Sequence, residues 1–148
     1  MSDENVAGWK QKGHLYLWHY VENTRNYRGW NLTADKDFRD SFVDLIEKIS
    51  EAKYNSLKSL KITSPTAEIL KVPNNKGGQA KWKAPRTLIL KYQKDKITGN
   101  YLSFDESENT ITLLVDRQKL EILKECFLKI RKEIDYSIEI GNARLWFW

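Results

Sequence analysis

The chain contains few residues that fix a fold by covalent or conformational constraint. Its 148 residues include one cysteine, three prolines and one methionine, and it has no run of 18 apolar residues. A single cysteine excludes an intramolecular disulfide and a cysteine-rich zinc site. The missing apolar run argues against a transmembrane helix. The core must therefore come from ordinary burial of apolar side chains, for which a chain of this length is sufficient.

Motifs that mark cofactor and catalytic sites are also absent. The sequence has no glycine-rich dinucleotide loop, no P-loop, no nucleophile elbow and no zinc-protease motif. The segment from Met1 to Val6 has neither the basic nor the apolar region of a secretory signal. We therefore expect a cytoplasmic protein with no cofactor, no bound metal and no membrane partner.

Three groups of titratable side chains are candidates for chemistry, and a structural role is favoured for each. His14 and His19 lie five residues apart on one predicted strand, so they point to opposite faces and do not share a metal. Cys126 lies beside the apolar face of a predicted helix, as a buried thiol does. An acidic stripe is typical of a solvated helix face: Asp37, Asp40 and Asp44. We expect no enzyme, and a hydrolase around His19 is the weakest alternative because no nucleophile is placed beside it.

Periodicity predicts a single α+β domain over residues 14–148, preceded by a loose arm at residues 1–13. Apolar residues spaced by three and four predict two amphipathic helices, one at about residues 34–53 and one that follows a capping Asp116. Runs rich in β-branched and aromatic residues predict seven to nine short strands: 14–21, 29–32, 57–62, 68–72, 86–92, 101–104, 110–115, 136–140 and 144–148. We expect a mostly antiparallel, twisted sheet with both helices on one face.

The order strand, turn, strand, capped helix occurs twice, at residues 14–53 and 101–134. Asp35 after the first pair of strands is matched by Asp116 after the second. Phe42 precedes Leu45 by three residues, as Phe127 precedes Ile130. Two interpretations stay open: a ββα duplication, or a pattern common to α+β domains. A duplication predicts that the two helices lie side by side on one face of a continuous antiparallel sheet.

Positive charge is concentrated in one segment. The net charge is +5, but residues 71–96 hold eight basic side chains and one acid, so this segment carries +7 and the rest carries −2. Lysines around a tryptophan in a glycine-containing loop, residues 74–84, resemble the contacts of single-strand nucleic-acid binders. The candidate contacts are Lys76, Lys81, Trp82, Lys83 and Arg86. A solvated loop with Trp82 packed on a sheet edge fits the same residues.

Aromatic residues alternate on two predicted strands: Tyr16, Trp18 and Tyr20 on one, Trp146 and Trp148 on the other. Burial in the core explains them, and a base-stacking platform is the alternative. The missing motifs and the charge patches of both signs favour a non-catalytic protein that binds another protein, such as a regulatory or immunity-like accessory domain. The alternative is a nucleic-acid-binding domain that uses residues 71–96.

Overall fold

A computed structural model describes residues 4–21, 29–52, 54–71, 81–96, 102–130, 132, 136–140 and 143–148. The elements in chain order are α1 (Glu4–Ala7), β1 (Leu15–Tyr20), β2 (Trp30–Ala34), α2 (Lys36–Glu51), β3 (Ser56–Lys61), β4 (Trp82–Lys83), β5 (Thr87–Tyr92), β6 (Leu102–Asp105), β7 (Thr110–Val115), α3 (Arg117–Lys129), β8 (Tyr136–Ile140) and β9 (Ala143–Phe147). The predicted α+β class, the strand number and the two long helices are confirmed.

The strands divide between two sheets, where one was expected. Their orders are β4-β1-β2-β9-β8 and β3-β5-β7-β6. Neighbouring strands are antiparallel except for β2 with β9 and β5 with β7, which are parallel. A parallel bridge between Leu15 and Ile62 connects the start of β1 to the residue after β3. Apolar residues of both sheets and both long helices form one core.

Eight of the nine described strands form two copies of one ββαββ unit, and the two copies exchange their second pair of strands. The first unit consists of β1, β2, α2, β3 and β5, and the second consists of β6, β7, α3, β8 and β9. Each first hairpin is antiparallel, and its second strand runs parallel to the last strand of the other unit. Because each sheet combines the first hairpin of one unit with the second hairpin of the other, the units are intertwined.

Strand register supports this equivalence residue by residue. One inward row of the first sheet contains, in order across the strands, Leu17, Leu32, Phe147 and Tyr136. The equivalent row of the second sheet contains, in the same order, Leu102, Leu113, Leu90 and Lys58. The next row pairs Trp30, Leu145 and Ile138 with Ile111, Leu88 and Leu60. The duplication is therefore present in the topology although little of it is visible in residue identity.

The helices start at equivalent caps. The Oδ1 atom of Asp35 accepts the backbone N–H of Phe38 at 2.9 Å, and Oδ1 of Asp116 accepts that of Lys119 at 2.9 Å. Positions 7, 10, 11 and 14 after each cap are buried: Phe42, Leu45, Ile46 and Ile49 in α2, and Leu123, Cys126, Phe127 and Ile130 in α3. The cap thus aligns Phe42 with Leu123, so the predicted match of Phe42 with Phe127 was wrong by one helical turn. The helices lie side by side, with the Phe42 and Phe127 ring centroids 4.4 Å apart.

Two local predictions also differ from the structure. The strand expected at residues 68–72 is wrong, because residues 67–70 form a turn in which the Leu70 N–H donates to the Thr66 carbonyl at 3.0 Å. Leu70 is buried against Trp18 and Tyr20, which explains its apolar character. Within the predicted loop at residues 74–84, Trp82–Lys83 forms β4 and pairs with β1.

Candidate binding groove

The segment before β1, predicted as a loose arm, packs into a groove between α2 and β3. Val6 and Trp9 are only 3% and 6% exposed and belong to the core. The indole Nε1–H of Trp9 donates to the Ser41 carbonyl of α2 at 2.8 Å. The Lys58 ammonium of β3 lies 5.7 Å from the indole centroid and donates to the Ala7 carbonyl at 3.1 Å. A helical turn followed by one tryptophan thus fills this groove.

The arm continues along the edge of β3 and into β1. The side-chain amide of Gln11 donates to the Lys61 carbonyl at 2.9 Å and accepts the Lys61 N–H at 2.8 Å, so it replaces a neighbouring strand. Gly13 has φ +69°, and a Cβ there would overlap Asp35 Oδ1 and the Phe38 nitrogen. The arm therefore passes close to the α2 cap at a position that only glycine fits.

The equivalent groove in the second unit, between α3 and β8, holds no described segment of the chain. It encloses about 200 Å³ and its lining is mostly apolar. The lining includes Val115, Lys119, Ile122, Leu123, Ile138 and Glu139. By cap and strand register, Ile122 corresponds to Ser41 and Glu139 to Lys61, which are two of the residues that hydrogen-bond the arm. We call the filled site the arm groove and its equivalent the α3/β8 groove.

Acidic residues occupy equivalent positions on α2 and α3. Asp40 and Asp44 of α2 line a surface concavity together with the arm residues Lys10 and Lys12. Counted from the caps, the corresponding residues of α3 are Glu121 and Glu125, both exposed. Each helix therefore carries acidic side chains at these two positions, and those of α2 are paired with Lys36 at 2.8 Å and Lys48 at 3.3 Å.

β8 is an edge strand of the described sheet. Such a strand offers backbone N–H and C=O groups to an added segment. The chain enters the second unit from β5, and the start of this connection runs beside the groove: the Gln93 N–H donates to the carbonyl of Val115, which lines it, and the Lys94 N–H to Asn55 Oδ1, both at 2.9 Å. Within the described ranges, no segment fills the α3/β8 groove as the arm fills its own.

The residues predicted as nucleic-acid contacts lie on and around β4. Trp82 is half-buried, opposite Tyr20 in the register and packed in the cluster of Trp18, Tyr20 and Leu70. Lys83 forms an ion pair with Glu106 at 3.1 Å. Lys81 and Arg86 are exposed, and Lys76 lies outside the described residues. Sheet-edge packing therefore accounts for Trp82 without a ligand.

The other described basic residues of this segment do not gather around β4. Lys71 pairs with Glu68 at 3.3 Å beside the 67–70 turn. Arg86 precedes β5 whereas Lys94 follows it, and a six-residue strand separates its ends by roughly 20 Å. The linear run of positive charge is thus spread over several surfaces.

The alternating aromatics share the face of the first sheet that points away from the α2–α3 core. Trp18 and Tyr20 are 0% and 2% exposed, so they form no open stacking platform. The indoles of Trp146 and Trp148 stack with centroids 5.5 Å apart, and Trp148 Nε1–H donates to Asn31 Oδ1 at 2.9 Å. Burial and mutual packing explain this face.

The remaining titratable groups have structural surroundings. His19 is half-buried, and burial followed by the charge of Lys83 lowers its pKa below the usual 6.5. Cys126 is buried, which raises the pKa of its thiol to about 11. His14 is exposed. Among the described residues, no three histidine, cysteine, aspartate or glutamate side chains form a cluster suited to a metal.

Comparison of the chain with protein-family models, curated proteins and solved structures gave no match. In the described part of the chain, every helix is too short or too polar to span a bilayer.

The sequence interpretation did not identify the residues of the two grooves. Ile122 lies off the main apolar stripe of α3, and an apolar residue in that position is a signal for a second contact surface. Val6 and Trp9 have the i, i+3 spacing of one helical face. Alignment of the two units at their caps could have connected these signals.

Proposed function

We propose that the protein is a non-catalytic binding module that takes a segment of another protein into the α3/β8 groove. One observation carries this proposal: the equivalent groove of the first unit is filled by the chain's own arm through Val6 and Trp9. The arm therefore shows which kind of segment such a groove binds. We place this function in the cytoplasm, in keeping with the single, buried cysteine.

The local chemistry of the groove supports this role. Ile122 and Ile138 are half-buried and flank an apolar floor, and the edge of β8 runs beside them. Protein segments commonly bind such sites by placing apolar anchors in a groove and by adding hydrogen bonds along a strand edge. The same combination holds the arm through Trp9 and Gln11.

Nucleic-acid binding through residues 71–96 has less support in the described residues. Lys71 and Lys83 are paired with acids, and Trp82 is packed against Tyr20. A nucleic-acid partner would be revealed by salt-dependent binding that weakens when Lys81 and Lys83 are replaced with alanine.

Selection from a displayed library of random peptides tests the proposed function without knowledge of the partner. The wild-type chain is used for selection, and the peptides are then measured against I122D, which places a charge in the groove. L128D is the matched control, because Leu128 is on the same helix, is 48% exposed and lies outside the groove lining. Thermal unfolding of both variants checks that each is folded.

Peptides that bind the wild type and L128D equally, but I122D at least about tenfold more weakly, would support the proposal. Selection that yields no peptide with this dependence would overturn it.

A further inference from the structure

The comparison of the two grooves also specifies what the α3/β8 groove binds. We infer that its ligand is a segment of a partner protein with a helical turn carrying an aliphatic residue, a tryptophan three residues later and basic residues directly after it. This inference rests on the proposed function and adds the chemistry of the partner. It derives from the arm, where Val6, Trp9, Lys10 and Lys12 have these places.

The tryptophan requirement follows from the acceptor it uses. Trp9 donates to the backbone carbonyl of Ser41, not to its side chain. The corresponding Ile122 has the same backbone carbonyl, so α3 offers an equivalent acceptor beside the groove. Isoleucine also makes the groove wall more apolar than serine does, which favours a large apolar anchor.

The preference for positive charge follows from the acidic residues at equivalent positions of the two helices. In the first unit Lys10 and Lys12 line one concavity with Asp40 and Asp44. In the second unit Glu121 and Glu125 occupy the equivalent places on α3, both exposed. Opposite charges at a rim guide the encounter and suppress wrong partners, and their effect weakens as salt increases.

The direction of the ligand follows from the strand register. The arm runs parallel to β3, since Lys58 contacts the Ala7 carbonyl and Lys61 pairs with Gln11. Lys58 and Lys61 correspond to Tyr136 and Glu139 of β8. The helical turn of the ligand therefore lies near Tyr136, and its extended part passes along Glu139.

A synthetic peptide of residues 4–12, added to the full-length chain, tests this inference. Amide chemical shifts should change at Ile122, Ile138 and Glu139, and binding should saturate. I122D, or W9A in the peptide, should weaken binding at least about tenfold, whereas L128D in the protein should leave it within about twofold.

Charge reversal provides a second test. A peptide with K10E and K12E should bind the wild type about three- to tenfold more weakly at low salt, because it would bring two added acids towards Glu121 and Glu125. The E121K/E125K protein should restore its binding and lose affinity for the unchanged peptide.

Three results would overturn the inference. The first two are an absence of saturable binding and chemical-shift changes confined to Ser41 and Lys61 of the arm groove. The third is the formation of dimers in which two chains exchange their arms, with the dimers absent when the W9A substitution is made in the protein. Library peptides that need Ile122 but lack the tryptophan and the basic residues would also overturn it, while leaving the proposed function intact.

Discussion

His19 and Phe104 occupy equivalent positions in the two units and face each other, with ring centroids 5.8 Å apart. His19 follows Leu17 by two residues, just as Phe104 follows Leu102, and these leucines have equivalent places in the matching rows of the two sheets. The pseudo-twofold relationship of the units therefore brings these two side chains together. Trp30 completes the cluster at 4.5 Å from His19 and 5.2 Å from Phe104.

This relationship predicts how His19 affects stability at different pH values. The Nε2 atom of His19 is buried and has no hydrogen-bond partner, and its pKa is lowered by burial and by Lys83. A lowered pKa means that the unfolded chain binds more protons than the folded one as the pH falls below 6.5. Stability is thus highest above this value and is lost as the pH falls from 6.5 towards the pKa of the folded state.

Replacement of His19 by phenylalanine, the residue of the other unit, should remove this dependence. We expect H19F to lose less unfolding free energy than the wild type between about pH 7.5 and about pH 5, measured by urea denaturation. Near neutral pH the change should stay within about 1 kcal/mol, because one buried unpaired nitrogen is removed together with a backbone hydrogen bond. H14F, which replaces an exposed ring, is the matched control and should keep the acid sensitivity of the wild type. Equal acid sensitivity of H19F and the wild type would contradict the assignment.

The Asp35 cap should contribute more to stability than a cap that accepts N–H groups from one segment alone. Asp35 accepts N–H groups from two segments, Phe38 at 2.9 Å and His14 at 3.0 Å, so it joins α2 to the end of the arm. We expect D35A to lose about 2 kcal/mol of unfolding free energy, near the upper end for a cap. Limited proteolysis should also cut its arm sooner.

The matched variant D35N retains one of the two acceptor oxygens and should lose less than D35A. Equal losses in the two variants, with an unchanged rate of arm cleavage, would show that Asp35 does not hold the arm.

The elements that depend on local sequence were predictable. The α2 stripe from Phe38 to Ile49 and the caps at Asp35 and Asp116 are local signals, because spacing and cap chemistry act within a few residues. Leu70 shows the limit of local signals, since its burial against Trp18 depends on a distant strand.

The exchange of hairpins could not be predicted in the same way. The pairing of β2 with β9 joins residues more than 100 positions apart, and no short-range pattern specifies it. The candidate site was missed for the same reason, because Ile122 and Ile138 form a groove only after α3 and β8 are placed. The arm illustrates this as well: polar composition suggested a loose segment, whereas Val6 and Trp9 are buried.

Removal of the Trp9 side chain should open the arm groove. W9A should lose about 3–5 kcal/mol of unfolding free energy, as expected for a buried tryptophan, whereas W9F should lose much less because an aromatic ring still fills the site. If the grooves are equivalent, calorimetric titration of folded W9A with the peptide of residues 4–12 should give two sites per chain, against one in the wild type. One site in both proteins would contradict the equivalence of the grooves.

The last strand should be essential because β9 joins the two units. It lies between β2 and β8 and buries Leu145 and Phe147, which are 3% and 0% exposed. Deletion of residues 143–148 removes the parallel pairing with β2, so we expect the variant to lose cooperative thermal unfolding. F147A should cost about 3–5 kcal/mol, and F147L, which introduces the residue found at the equivalent Leu90, should cost clearly less. A cooperative transition after the deletion would show that the first sheet is stable without the second unit's hairpin.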